Sequence, residues 1–316
     1  MPYTPIALFA YNRPHLTRPT LEALSANILA AQSDLHIFCD GPKTGEHAEG
    51  VEAVRVLARE WKGFKSVTVV ERDTNFGLAK SIITGASQLL DAHGTVIVME
   101  DDLITSPHFL AHMNNALEFY RSELSAFSVT GYMYPPSLFN LPQGYEYDAF
   151  AAYRCHSWGW ATWKDRWDKV DWDVADFEAF MNDQEAQARF NRGGKDLTGM
   201  LGLQVDGVID SWAIRFCYAH FRNEASCIYP IRSLVHNTGF DGSGVHCTIQ
   251  QDGTFSNLLD SDWQPAKLPP AQVQPSIAQE FKTMFDERLL AVTPPPPHPR
   301  SLKARIKRFL AQIGLS

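Results

Sequence analysis

The stretch Val96-Ile97-Val98-Met99-Glu100-Asp101-Asp102 decides the fold. Three β-branched residues and a methionine run directly into three carboxylates. Such a run reads as a buried strand whose end carries clustered negative charge. The carboxyl ends of strands are where open α/β sheets bind their ligands. Like charges packed together cost energy unless a cation or solvent offsets them. Hard oxygen ligands in such a cluster suit Mg²⁺ or Mn²⁺ carrying a phosphate. The plainer alternative is a solvated acidic loop leading into the next helix.

Working outward, Ile6-Ala7-Leu8-Phe9 reads as a short buried strand, followed by the turn Asn12-Arg13-Pro14 and a helix from about Thr17 to Ala31. Leu35 to Cys39 is a second strand ending at Asp40-Gly41-Pro42, and Glu46 to Trp61 is helical. Val67 to Val70 is a third strand, closed by Asp73-Thr74-Asn75-Phe76-Gly77, with a helix from Leu78 to Asp91. Thr95 to Met99 is the fourth strand. This β-α-β-α-β-α-β order predicts a mostly parallel sheet with helices on both faces. The polar loops after each strand should gather at one edge. Ser106-Pro107 supplies an N-cap and a first-turn proline for a helix to about Arg121, and Phe127 to Gly131 is a fifth strand. Residues 155–172 hold five of the eight tryptophans, and Gly193-Gly194 marks a mobile loop. Residues 268–275 form a Pro-rich surface wrap, and Pro294 to Pro297 form a stiff linker.

With 316 residues, 45% of them hydrophobic, the chain can build a sizeable core. A formal charge of −8 argues against a general nucleic-acid-binding role. Cys39, Cys155, Cys217, Cys227 and Cys247 are scattered without a paired spacing. The odd count and wide spacing argue against a zinc knuckle or a disulfide framework and fit reduced thiols in a cytoplasm. No basic n-region precedes an apolar run at the N-terminus, so a secretory signal is not expected, and no run reaches the ~18 apolar residues of a membrane span.

The carboxylate run, followed by Leu103, Pro107 and Phe109, resembles the metal-binding motif of GT-A-fold glycosyltransferases, in particular the N-acetylglucosaminyltransferase I family and its bacterial relatives. The likeness continues in order. Trp158-Gly159-Trp160 and Asp210-Ser211-Trp212 are similar to later segments of that family. Ile228-Tyr229-Pro230, then Gly239, Gly244, Val245 and His246, are similar to the end of its catalytic domain. The likeness covers roughly residues 5–250; residues 268–316 have no counterpart in it. The resemblance implies a GT-A, Rossmann-like mixed sheet, a nucleoside-diphosphate sugar donor, usually UDP-linked, a Mn²⁺ or Mg²⁺ ion, and inversion at the anomeric carbon. It implies a catalytic domain over 1–267, with a donor and metal half at 1–131 and an acceptor and catalytic half at 132–267. The segments 268–299 and 300–316 are then a wrap with linker and a tail.

By position in the resembling family, Asp102 is the direct metal ligand, while Glu100 and Asp101 bind the donor or shape its loop. Asp210 is the expected catalytic base, with Asp206 as its neighbour and competitor; an N-cap on the following helix is the alternative for Asp210. Arg13 matches phosphate with its guanidinium fork. Asp40 is placed to accept from uracil or ribose, against a plain Asp-Gly turn. Asn75 and Lys80 flank the next loop as further nucleotide-sugar contacts. His246 is a candidate second metal ligand or phosphate donor, and His236 a weaker one. Trp158, Trp160 and Trp212 are acceptor candidates because indole stacks on sugar faces, although core packing is the ordinary use of tryptophan.

Residues 300–316 carry Arg300, Lys303, Arg305, Lys307 and Arg308 without an acid, and Leu302, Ile306, Phe309, Leu310 and Ile313 at helical spacing. This is a basic amphipathic helix suited to an anionic membrane surface on the cytoplasmic side, or to a partner subunit. The resulting expectation is a glycosyltransferase acting on a glycan or glycolipid acceptor. Two rivals stand beside it. One is a non-catalytic carbohydrate-binding protein or scaffold on the same fold. The other is a nucleotidyltransferase, against which Ala10-Tyr11-Asn12-Arg13-Pro14 lacks the glycines of a phosphate loop.

Overall fold

The computed structural model describes residues 2–242, 255 and 259–289. Its first half alternates strand and helix as the pattern predicts: β1 (Ile6–Ala10), α1 (Pro14–Ser25), β2 (Asp34–Cys39), α2 (Ala48–Glu60), β3 (Ser66–Glu71), α3 (Leu78–His93) and β4 (Thr95–Glu100). β1 is buried throughout and β4 is buried except at its two ends, because helices cover both faces of the sheet. On one face Leu21 and Leu24 of α1 join Val54 and Leu57 of α2; on the other Ile82, Ala86 and Leu89 of α3 do the same work.

Helix α1 begins at Pro14, whose fixed φ and missing N–H suit a first helical position, and ends six residues earlier than the apolar spacing implies. Asn27 explains the early end. Its side-chain nitrogen donates to Ala23 O and Thr105 Oγ1, and its side-chain oxygen accepts from Leu110 N–H, which turns the chain away.

The second half adds β5 (Leu103–Thr105), α4 (Phe109–Phe119), β6 (Ala126–Thr130), β7 (Ala149–Ala152), β8 (Trp160–Trp163), α5 (Lys164–Trp167), α6 (Phe177–Asn182), α7 (Gln184–Phe190), α8 (Leu197–Val205), α9 (Trp212–Arg222), β9 (Ser226–Pro230), β10 (Val235–Asn237) and α10 (Pro275–Thr283). The N-cap of α4 is His108 rather than Ser106, although Ser106 Oγ accepts from His108 N–H at 3.2 Å and Ser106 O from Phe109 N–H at 3.1 Å; Ser106 N–H donates to Leu234 O at 2.8 Å, beside the antiparallel β5/β10 pair.

The main sheet runs β3-β2-β1-β4-β8-β6-β9-β7. The pairs β3/β2, β2/β1 and β1/β4 are parallel. β8 is antiparallel to both β4 and β6, β9 is parallel to β6, and β7 is antiparallel to β9. The chain moves outward from β1 to β3 and then returns to lay β4 on the other side of β1. That reversal opens a crevice between the carboxyl ends of β1 and β4, with Phe9 in register with Glu100.

Two expectations change. Residues 268–299 are not simply a wrap and linker. Residues 268–273 do lie along the domain, with Pro269 O accepting from Tyr120 Oη at 2.6 Å. Helix α10 then drives Ile277 and Phe281 into the core, and Met284 follows in a π-helical turn. Gly193-Gly194 is a packed turn. Gly193 is buried, and beside it Arg154 donates to both oxygens of Asp196 at 2.9 and 2.8 Å. The Pro294 to Pro297 linker and the basic tail lie outside the described residues. Among the described residues, no helix is long and apolar enough to cross a membrane.

Candidate active site

The crevice between β1 and β4 is lined by opposite charges. Arg13 closes the turn after β1, where its backbone carbonyl takes the first amides of α1. Its side chain is mostly buried and pairs through Nη2 with Asp101 Oδ1, and with Asp102 Oδ2 at 2.9 Å. The backbone behind these acids is clamped. Thr20 Oγ1 donates to Asp101 O at 2.9 Å, and Thr238 donates to Asp102 O from its N–H and hydroxyl at 2.8 and 3.0 Å. Thr238 follows β10, so the small β5/β10 sheet is what holds the acidic loop still.

One guanidinium faces three carboxylates here. Burial, reinforced by Asp102 and Asp101, pushes Glu100 up to about 8. Burial pushes Asp101 up to about 6 against the pull of Arg13. Asp102 is raised by burial in the same way, with Arg13 opposing. Burial works against the charge of Arg13, but Asp101 and Asp102 outweigh it and raise its pKa. The crowded, buried acids thus take up protons more readily than free carboxyls, because one guanidinium does not offset three carboxylates.

The arrangement suits a divalent ion. Asp101 Oδ2 is buried without a hydrogen-bond partner. A side chain at Gly239 would place its Cβ 2.3 Å from Asp102 Oδ2, so only glycine lets the carboxylate pack this close to the backbone. Among the described residues no three His, Cys, Asp or Glu side chains converge as a closed metal site. A cation held by Asp102, with the remaining positions left to phosphate and water, follows the usual Mg²⁺ pattern. His246 lies outside the described residues. His236 lies in β10, opposite Ile104 of β5.

Asp40, at the end of β2, turns its carboxylate onto the next loop. It accepts from Phe76 N–H at 2.9 Å, Gly77 N–H at 3.1 Å and Gly41 N–H at 3.1 Å. Asn75 Nδ2 reaches back to Gly41 O at 2.9 Å, and Lys80 Nζ sits 4.4 Å from the Phe76 ring centre. Asp40 and Asn75 thus knit the β2 and β3 loops into one rim, with Lys80 on its α3 side. The same rim holds a contact that sequence reasoning passed over: Tyr11 Oη pairs with His47 Nδ1 at 2.7 Å and accepts from Lys43 N–H.

The far side of the crevice is aromatic. Gly159, at φ +58°, turns the chain into β8 where a Cβ would lie 2.9 Å from Val235. Just before it, half-buried Trp158 meets Tyr132 at 4.5 Å, His156 at 5.0 Å and Phe240 at 5.8 Å between ring centres. Trp160 and Trp212 are a correction. They stack on each other at 4.7 Å, are 1% and 3% exposed, and contact Phe216, so their faces are taken by protein rings. Of the three tryptophans, Trp158 alone is exposed enough to meet an acceptor.

That stack has a positional consequence. Trp160 pairs with Val98, two residues before Glu100, and Trp212 lies two residues after Asp210. Asp210 is therefore brought to the same edge as the acidic loop. Its side chain is 69% exposed, with Arg215 Nη2 at 3.5 Å. The N-cap of α9 is Ser211, whose Oγ accepts from Ile214 N–H, so the carboxylate of Asp210 is not used for capping. Asp206 ends α8. Sequence reasoning also missed Asp241, which faces Asp102 and pairs with His15 Nε2 at 3.1 Å.

Residues 6–184 match the model of glycosyl transferase family 2, and the chain belongs to that family. Its mostly parallel sheet is of the GT-A type. Solved structures similar in fold include TarS from S. aureus (residues 1-349; 10% identity, 75% of this chain and 61% of that chain, TM-score 0.42). They also include the mannosyltransferase PcManGT from Pyrobaculum calidifontis, in complex with GDP-Man and Mn²⁺ (14% identity, 71% and 70% covered, TM-score 0.39). A third is apo mouse xyloside xylosyltransferase 1 (10% identity, 70% and 82% covered, TM-score 0.34). This chain thus spans 61% of the TarS segment's length. No curated protein is matched. The narrower likeness to the N-acetylglucosaminyltransferase I family remains a resemblance of motifs.

Proposed function

We propose that the protein transfers a sugar from a nucleoside diphosphate, UDP by preference, to a hydroxyl of a glycan or glycolipid, with inversion and with Mn²⁺ or Mg²⁺. The observation that carries this reading is the pairing of Arg13 with Asp101 and Asp102 at the reversal of strand order. That crevice collects a phosphate-matching fork and cation-matching acids in one place. The rim of Asp40, Asn75 and Lys80 lies where a nucleotide would rest. Asp102 would hold the ion, which offsets the charge that develops on the leaving diphosphate. Arg13 can turn its fork from the aspartates to the diphosphate, and Glu100 and Asp101 face the donor sugar. Asp210 takes the proton from the acceptor hydroxyl as that oxygen attacks from the side opposite the diphosphate. Trp158 offers an aromatic face to the acceptor.

Calorimetry of UDP, GDP and CDP, each with and without Mn²⁺, tests the donor site. Mn²⁺-dependent binding of one nucleotide that Asp102→Ala abolishes is the expected result. No binding of any of them would leave the acids as a structural loop and favour a carbohydrate-binding role without turnover.

The basic pattern of residues 300–316 supports contact with an anionic membrane surface, where a lipid-linked acceptor would be found. Flotation with anionic liposomes should carry the full chain and lose a chain ending at Thr293. Equal flotation of both chains would reject the contact.

A further inference from the structure

A second cavity, of about 400 Å³, is lined by Tyr153, Arg189, Phe190, Arg192, Phe221, Arg222, Glu224 and Ala225. It lies at the other edge of the sheet. β9 runs parallel to β6 and β6 antiparallel to β8, which is antiparallel to β4, so β9 points the same way as β4. Ala225 precedes the start of β9 and Tyr153 follows the end of the antiparallel β7, so both sit opposite Glu100. Helix α9, about 16 Å long at ~1.5 Å per residue, separates the two places, with Asp210 two residues before its start and Arg222 as its last residue.

Three guanidiniums and one carboxylate line this cavity in a protein of net charge −8. Aromatic rings aim two of them. Arg192 lies 4.0 Å from the Tyr153 ring centre and donates to Tyr153 Oη at 3.2 Å; Arg189 lies 5.9 Å from the Phe221 ring centre. A guanidinium laid on a ring keeps its N–H fork pointing sideways, already oriented for an anion. Arg189 and Arg222 have exposed, weak partners in Glu185 at 3.7 Å and Asp176 at 3.2 Å. Arg192 makes no ion pair with a described carboxylate; its Nε donates to Arg189 O at 3.0 Å. Three chain segments far apart in sequence build the site together.

We propose that this cavity is a binding site for a phosphate monoester with a body the size of a monosaccharide. A phosphate monoester carries about −1.5 to −2 charge and three acceptor oxygens, which suits several guanidinium forks better than a single carboxylate does. The volume exceeds what a bare phosphate fills, given ~30 Å³ for each water displaced, so room remains for a sugar against Phe190 and Phe221. The ligand is a phosphorylated sugar, either free or as one unit of a phosphorylated glycan. The site does not depend on the transferase reading.

Calorimetry on the full chain tests it with glucose 6-phosphate, glucose, glucuronate, inorganic phosphate and maltotriose bearing a 6-phosphate. Glucose 6-phosphate should bind about tenfold or more tightly than glucose, glucuronate or phosphate. The exposed Arg192→Ala should weaken it about tenfold, while Glu224→Gln, which removes the opposing carboxylate, should strengthen it. Asp102→Ala should leave it unchanged, which separates this site from the donor crevice. Tighter binding of the phosphorylated maltotriose would identify a glycan unit, and equal binding a free sugar phosphate; both support the site. No binding of glucose 6-phosphate, binding that Arg192→Ala leaves intact, or binding lost in Asp102→Ala would overturn it.

Discussion

Arg13 Nη2 donates to Asp102 Oδ2 at 2.9 Å, so the residue proposed to hold a divalent ion is already tied to a protein cation that also engages Asp101. The guanidinium supplies part of the charge compensation that a bound metal would supply. It lets crowded carboxylates coexist in a dry crevice.

Removing that guanidinium should therefore be costly. Arg13→Ala leaves Asp101 and Asp102 buried and unpaired, and breaking a buried pair from one side typically costs roughly 3–5 kcal/mol. Urea denaturation at neutral pH should show a loss of that order. Saturating Mn²⁺ should return part of it. A loss below about 1 kcal/mol, as for an exposed pair, would mean that solvent already neutralises the acids.

Gly239 has a narrower job. Its missing Cβ lets Asp102 Oδ2 pack directly against the backbone. Gly239→Ala should keep the fold but turn that carboxylate, and a misplacement of ~1 Å can cost about 10² in rate. The expected signature is Mn²⁺-dependent nucleotide binding weakened by about tenfold or more, with a urea midpoint lowered less than in Arg13→Ala, because the displaced Oδ2 also accepts from Arg13. Normal binding in this variant would show that Asp102 does not hold the ion from that side.

Asp210→Asn separates base from binder. Because Ser211 caps α9 and the Asp210 side chain is exposed, the variant should fold and bind donor normally. Its kcat should drop by about 10²–10⁴, the usual worth of general-base help. An unchanged kcat would pass the role to another carboxylate at the same edge, with Asp241 the first to test.

Acid should destabilise the protein through buried histidine. His220 Nδ1 lies 2.7 Å from Phe216 O, which can only accept, so Nδ1 carries the proton and Nε2 accepts from Ser128 Oγ. Burial lowers His220 from 6.5 to about 4. Between those values the unfolded chain binds the proton and the folded chain does not, so stability falls as pH falls. The contribution lost between about pH 7 and about pH 5 is ~2 kcal/mol. His220→Gln should lose that much less on acidification than the parent. Equal acid sensitivity would show that another group controls the limb.

The C-terminal helix should prove part of the domain. Ile277, Phe281 and Met284 are 0%, 1% and 0% exposed. Phe281→Ala should cost roughly 3–5 kcal/mol, and a chain ending at 267 should unfold or aggregate. Wild-type stability in that shortened chain would restore the simpler boundary.

Local chemistry was enough to read much of this molecule. The four apolar runs and the polar turns after them, with Pro14 and Gly77 at helix starts, announce the repeated strand and helix units, because short-range periodicity and backbone restriction act within a few residues. The acids at Glu100 to Asp102 and the arginine at 13 could be named as a pair of interest for the same reason. Their partnership could not. It depends on β4 returning beside β1, a choice made by burial of both sheet faces. What lies beyond reach of local pattern is whatever depends on partners far along the chain. The three-residue strands β5 and β10 hold the acidic loop only because Leu103 finds Asn237. Trp160 and Trp212 are spent on each other in the core, and Ser211 rather than Asp210 became the cap. The sequence by itself determined the element order of the first half, the charge cluster and the GT-A glycosyltransferase class to which they belong. Only the tertiary structure decided which acids share a cation, which indoles keep an open face and that α10 completes the core, because those are settled by which surfaces lose water together and not by the order of residues along the chain.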